Sequence, residues 1–219
     1  KKIEDTCIKS YGIPADKLMY HVNPVLLAER QPRQENVWGR LRVGFAARLT
    51  QLAKRTHLLP QVMDACFQRG LDVEFHIAGE GECLELLRAF VEDNHLEEKV
   101  YLEGWIPPTQ MADFWRHQDI YLSISDYEGM SLTMLEAMAY GAFPVVTDVS
   151  GVTDVIEGGK NGLIIPVEKW LECVDKIAML DEDRKLLVRG SRYNMDKIRE
   201  KCDADQYADW LINAFQLEG

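Results

Sequence analysis

From residue 41 onward, short apolar runs alternate with longer amphipathic stretches. The runs predict β-strands at 41–47, 73–78, 99–102, 120–124, 142–147 and 162–165. The stretches between them predict helices at about 57–69, 82–93, 108–116, 130–140 and 152–157. After Pro166 the pattern is helical only, near 167–180, 182–200 and 203–217. Strands alternating with helices imply βαβ units, hence an α/β, Rossmann-like three-layer domain with a mainly parallel sheet. Such a sheet takes ligands outside the C-terminal ends of its strands. Residues 1–40 carry little periodic pattern. Tyr11-Gly12-Ile13-Pro14 and Asn23-Pro24 punctuate them, and the polar stretch 30–36 reads as a surface loop.

Composition narrows the function classes. The 219 residues are 47% hydrophobic, enough for a sizeable core. Lys and Arg number 25 against 36 Asp and Glu, a net charge of −11, which argues against nucleic acid as a partner. A small anion is still held if a few cations and amides converge. The five cysteines (Cys7, Cys66, Cys83, Cys173 and Cys202) form no CxxC pair and are read as reduced thiols of a cytoplasmic protein. No apolar run approaches the roughly 20 residues of a membrane span, and no signal peptide is read. The chain opens at Lys1 without Met, so a piece of a longer protein is expected.

The stretch SDYEGMSLTMLEAMA, residues 125–139, concentrates the chemistry. It follows the buried-looking run YLSIS and passes through a glycine turn into an apolar helix. Free N–H groups and the positive end of a helix dipole make the amides around Gly129, Met130 and Ser131 an anion site, suited to phosphate. Glu136 is the only charge between Met130 and Tyr140. A carboxylate on so apolar a helix needs donors, and ribose hydroxyls would serve; the alternative is a narrow solvated stripe. Glu128 sits beside the phosphate-ready amides and faces whatever the phosphate carries, unless it merely favours the helix dipole. In the run LRVGFAARL, Arg48 follows the first strand, with Lys54 and Arg55 beyond it. These suit a diphosphate, or are solvated surface cations. The run FHIAGEGE ends a strand in the turn Gly79-Glu80-Gly81, weak evidence by itself. In VYLEGWI, Trp105 either packs or shields a base beside Ile106. His57 and His76 have no Asp or Ser neighbour in sequence and are read as structural.

Two glutamates eight positions apart in EGMSLTMLEAMAYG, followed by PVV, resemble the signature of the retaining glycosyltransferases of the sucrose-synthase and glycogen-synthase-like family, family four. The resemblance covers about residues 7–217. It implies the C-terminal, donor-binding half of a GT-B fold. Carried over, it implies Glu128 as the catalytic residue at the donor sugar and Glu136 on the ribose. It implies Arg48, Lys54 and the segment Gly129, Met130, Ser131 and Leu132 on the diphosphate, with Gly79, Glu80, Gly81, Trp105 and Ile106 beside the nucleotide. Ala47 stands where the family has Gly, and the spacing from Arg48 to Lys54 is one residue longer than the commonest pattern, so Arg55 is a second candidate. The loop Ser150-Gly151-Val152-Thr153-Asp154 with Asn161-Gly162 resembles the family's GGxPE…NG loop in altered form.

The resemblance further implies a division of the chain. Residues 1–40 would be the inter-domain linker leading into the domain, 41–200 the nucleotide-sugar-binding domain, and 201–219 a helix packing toward an N-terminal domain absent from this sequence. That absent domain would bind the acceptor. The expected donor is a UDP-sugar, with a GDP-sugar as the alternative, and no cofactor or metal is expected. Polysaccharide or glycoconjugate synthesis is the expected setting, with peripheral membrane association of the full-length enzyme compatible with it. The competing readings are a noncatalytic GT-B scaffold, another GT-B enzyme such as a sugar epimerase or phosphorylase, and a plain nucleotide-binding regulator.

Overall fold

The computed structural model describes residues 2–27, 36 and 38–215. Six strands form one sheet: β1 Leu41–Ala46, β2 Val73–Ala78, β3 Val100–Gly104, β4 Ile120–Ser123, β5 Phe143–Thr147 and β6 Leu163–Ile165. Every pairing is parallel, in the order β3-β2-β1-β4-β5-β6. The order reverses between β1 and β4, which opens a crevice at their C-terminal ends. Six of the helices are α2 Leu59–Gln68, α3 Leu84–Asp93, α4 Pro108–Arg116, α5 Leu132–Ala139, α7 Cys173–Glu182 and α8 Arg184–Lys201.

The near-continuous apolar strands are buried because helices cover both faces. Val43, Phe45, Phe75, Ile77, Ile120, Leu122 and Val145 face a core completed by α2, α3 and α7. On the opposite face Tyr121 and Val146 meet Trp115 of α4 and Met134, Leu135 and Met138 of α5, and α5 in turn packs on α8. All five cysteines are free thiols, and burial pushes the Cys66 thiol up to about 12. No described helix is long and apolar enough to cross a membrane.

Several elements differ from the expected ones. The first eleven residues contain the helix α1, Lys2–Tyr11. Its acids lie in the first turn, and Gly12, at φ 66°, ends it while Ile13 N donates to Cys7 O. The punctuation at 11–14 is therefore a helix cap. Helix α5 begins at Leu132, because the Ser131 hydroxyl accepts from Met134 N and caps it there. The expected helix at 152–157 shrinks to α6, Val152–Val155, and the one at 167–180 splits into a 3-10 turn, Val167–Glu172, followed by α7. The last helix, α9, spans Ala204–Phe215. The polar stretch 30–36 lies, apart from Asn36, outside the described residues.

Candidate functional site

The crevice at the strand switch is a cleft of about 420 Å³. Its floor comes from the ends of β1 and β2. The loop after β1 is laced to the turn after β2: Ala47 N donates to Ala78 O at 3.2 Å, and Leu49 N to Glu80 O at 2.8 Å. This close lacing dictates the glycines. A Cβ on Gly79 would lie 1.9 Å from the Ala47 carbonyl oxygen, and one on Gly81 would lie 2.4 Å from that of Leu49. The GxG turn is thus required by backbone approach, whatever ligand it also meets.

Six of the residues singled out in the sequence meet in this cleft: Arg48, Gly79, Glu80, Trp105, Ile106 and Glu136. Arg48 is exposed and makes no side-chain hydrogen bond or ion pair among the described residues. Trp105 is 63% exposed, so it is not a packing tryptophan and its indole stands open at the cleft. Glu136 is half-buried rather than on a solvated stripe, and burial raises its pKa above 4.5. No described residue donates a hydrogen bond to its carboxylate. Thr133, one turn earlier on the same face of α5, also lines the cleft. Its spacing of three from Glu136 was the signal that would have found it.

The remaining predicted residues lie beside the cleft. Lys54 Nζ pairs with Glu128 Oε2, both partly buried and 74 residues apart in sequence. Ala53 and Arg55, on either side of Lys54, adopt the left-handed backbone at φ 59° and 51°. Such residues persist where surrounding contacts hold them. Here Asp126 N donates to Ala53 O at 2.7 Å, and the Arg55 guanidinium binds Asp126 and donates to the Val167 carbonyl at 2.8 Å. Arg55 is therefore a clamp that presents Lys54 to the loop after β4. The amides of Gly129, Met130, Ser131 and Leu132 donate to no acceptor among the described residues, and they open α5. The Ser131 side chain itself is taken by the cap and lies 3.4 Å from the Tyr121 hydroxyl. Gly81 does not line the cleft.

Two further contacts set the 129–131 turn. A Cβ on Gly151 would lie 3.1 Å from Met130 Cα, so the loop after β5 packs directly on it. From the other side Asn23 Nδ2 donates to Met130 O at 3.4 Å. The altered 150–154 loop thus buttresses the turn. Its far end is fixed by the buried Asn161, which donates to Asn194 Oδ1 at 2.7 Å and accepts from Glu157 N at 2.7 Å. His76 does have carboxylate partners, Glu103 at 2.7 Å and Glu74 at 3.4 Å, but none of the three lines the cleft. Among the described residues no group of three or more His, Cys, Asp or Glu is arranged to hold a metal ion.

Comparison with known proteins agrees with this architecture. The profile described as Glycosyl transferases group 1 matches residues 40–183. The chain is 31% identical over 176 residues to a Staphylococcus aureus poly(ribitol-phosphate) alpha-N-acetylglucosaminyltransferase, covering 79% of this chain and 35% of that relative. It is 30% identical over 170 residues to the putative colanic acid biosynthesis glycosyltransferase WcaL of Salmonella typhimurium, covering 73% and 41%. Among solved structures, a mutant of S. aureus TarM in complex with fondaparinux, alpha-GlcNAc-glycerol and UDP superposes with a TM-score of 0.74 at 28% identity, over 86% of this chain and 38% of that one. The chain spans less than half the length of these relatives. With the strand order, the cleft at the switch point and a family profile across two thirds of its length, this chain belongs to the group 1 glycosyl transferases.

Proposed function

We propose that the chain is the donor-binding half of a retaining glycosyltransferase that takes a nucleoside diphosphate sugar, with UDP as the nucleotide. The observation that carries this reading is Glu136: a half-buried carboxylate without a protein donor, facing a cleft. Burying such a group is unfavourable unless a ligand supplies hydrogen bonds, and a ribose diol supplies two. Trp105 and Ile106 at the mouth suit a base, and Arg48 with the amides of 129–132 suits the diphosphate. UDP is favoured over GDP because a UDP complex is among the matching solved structures.

In this reading the Lys54–Glu128 ion pair belongs to the ligand-free state. An incoming diphosphate draws Lys54 away and leaves the Glu128 carboxylate to orient the sugar and stabilise positive charge developing at its anomeric carbon. Arg48, Lys54 and the amides take up the negative charge developing on the departing diphosphate, the preorganised stabilisation that usually dominates catalysis. The acceptor would be bound by a second half of the kind that makes the relatives about twice as long or longer. Residues 1–40 would serve as the linker and 201–219 as the helix returning to that half. The relatives' names support polysaccharide or glycoconjugate synthesis, a setting in which a cytoplasmic full-length enzyme peripheral to a membrane would fit.

Thermal unfolding against UDP, GDP, ADP and CMP tests the reading. A nucleotide at about ten times its dissociation constant adds ~1.4 kcal/mol, a rise of about 3–5 °C at this size. The expected result is a rise with UDP that is lost in Glu136→Ala. A rise with GDP alone would change the donor, and a UDP response unaffected by Glu136→Ala would remove the ribose role.

A further inference from the structure

Lys54 is not the only side chain that touches the Glu128 carboxylate. The Ser125 hydroxyl donates toward Glu128 Oε2 at 3.4 Å, the same oxygen that Lys54 binds. Glu128 Oε1 makes no hydrogen bond among the described residues. One oxygen is thus anchored and the other is left for the site. At 3.4 Å the Ser125 bond is long while Lys54 holds the oxygen.

Ser125 is itself firmly placed. It is 1% exposed, and its carbonyl accepts from the buried Thr147 Oγ1 at 2.6 Å. Its hydroxyl lies 3.1 Å from Ser123 Oγ. Ser123 is in turn a hydrogen-bond partner of the Tyr121 phenol, whose oxygen also lies 3.4 Å from Ser131 Oγ. Tyr121, Ser123 and Ser125 alternate with Leu122 and Ile124, which enter the core under α2, α3 and α7. Three hydroxyls therefore run in a row beneath the turn that carries Glu128. A carboxylate only accepts, so the row has a direction: Ser125 gives its proton to Glu128 and accepts from Ser123, which accepts from Tyr121. Burial pushes the Tyr121 phenol up to about 12, and the Glu128 and Glu136 charges act the same way, so the far end stays a donor. Hydroxyls polarised toward a charge strengthen the last bond of the row. Apolar side chains would fill this space without the cost of burying polar groups, so packing alone does not call for them.

We propose that Ser125 is a positioning residue for Glu128: when Lys54 turns to the diphosphate, the Ser125 hydroxyl, backed by Ser123 and Tyr121, takes over Oε2 and holds Oε1 toward the donor sugar. This deepens the reading of Glu128 as the carboxylate at that sugar and rests on it.

Calorimetric titration of the chain with UDP, UDP-glucose, UDP-galactose and UDP-N-acetylglucosamine separates positioning from mere support of the turn. The quantity read is the dissociation constant of UDP divided by that of the UDP-sugar giving the largest ratio. Glu128→Ala should lower this ratio. Ser125→Ala should lower it about fivefold, the order of one hydrogen bond. In a Glu128→Ala background it should lower it no further, because the two side chains act as one unit. Ser123→Ala, one step back along the row, should lower it about twofold, and it decides the matter should Ser125→Ala fail to fold. A Ser125 that only supports the turn would weaken UDP and the UDP-sugar alike, through the 129–132 amides, and leave the ratio in place. That outcome overturns the proposal, as does a Ser125→Ala effect that persists without Glu128. A ratio that Glu128→Ala leaves unchanged removes the donor-sugar role of Glu128 and this proposal with it.

Discussion

The Glu136 carboxylate has a cost that the ligand-free chain bears alone. Burial raises its pKa above 4.5, so the folded state holds the proton more tightly than the unfolded one. Stability therefore falls as pH climbs from about 4.5 through the higher folded value, and it stays lowered above that. Glu136→Gln removes the penalty and keeps the shape. At neutral pH its ligand-free melting temperature should rise slightly, by about 2 °C or less, while its response to UDP falls. A Gln variant that melts lower than wild type would show that the carboxylate serves the fold. Arg48 is a different case: it is exposed, so Arg48→Ala should leave melting unchanged to within about 0.5 kcal/mol and act on ligand binding alone.

The elements around the site are tied by backbone approach and by polar staples. At the β1–β2 end, Gly79→Ala places a methyl against the Ala47 carbonyl oxygen on a backbone of φ 130°. The loop must move, and a loss of about 2–4 kcal/mol is expected, read as a lower urea midpoint with an unchanged slope. At the other end, the loop from α6 to β6 is stapled to α8 through Glu157. Its carboxylate accepts from Lys197 at 2.6 Å, from Tyr193 at 2.7 Å and from Lys160 at 2.9 Å, which lowers its pKa from 4.5 to about 2. The depressed pKa means stability that is present above about 4.5 and lost as pH falls from there toward 2. Glu157→Gln should lower the melting temperature at neutral pH and flatten the acid limb of a melting-temperature profile. An unchanged limb would assign acid unfolding to other carboxylates. Glu136 and Glu157 thus act with opposite sign in adjoining windows, above and below about 4.5, and the two Gln variants separate them.

Stability across the whole molecule should be uneven. β1, β4 and β5 are buried on both faces, whereas α9 has no buried residue. His21 lies against Tyr207 and Trp210 of α9 at ring-centroid separations of 5.0 and 4.8 Å, and Val25 bridges Asp203. These contacts, between the segment before the sheet and the end of the chain, are few and partly wet. Amide hydrogen exchange should therefore release α1 and α9 first and the central strands last, with the strands reporting the global unfolding free energy. Protection of α9 equal to that of β4 would show that the ends are integral to the core. The same segment contributes Asn23, which donates to Met130 O, so loosening it loosens one support of the 129–131 turn.

The alternation of apolar runs and amphipathic stretches determined the α/β class, all six strands and most helices, because each pattern is a local record of which faces are buried. The glutamate pair and its glycine turn made the candidate site legible for the same reason: a charge on an otherwise apolar helix stands out against its neighbours. Helix α1 was hidden because an exposed helix carries little apolar stripe, although its acidic first turn and Gly12 cap were there to be read. What lay beyond the sequence was every long-range pairing. The reversal of strand order, the Lys54–Glu128 ion pair and the His76–Glu103 contact join residues tens of positions apart, and the open position of Trp105 is likewise set by packing. Local pattern says which face of an element is buried. Only the packed chain decides what that face is buried against.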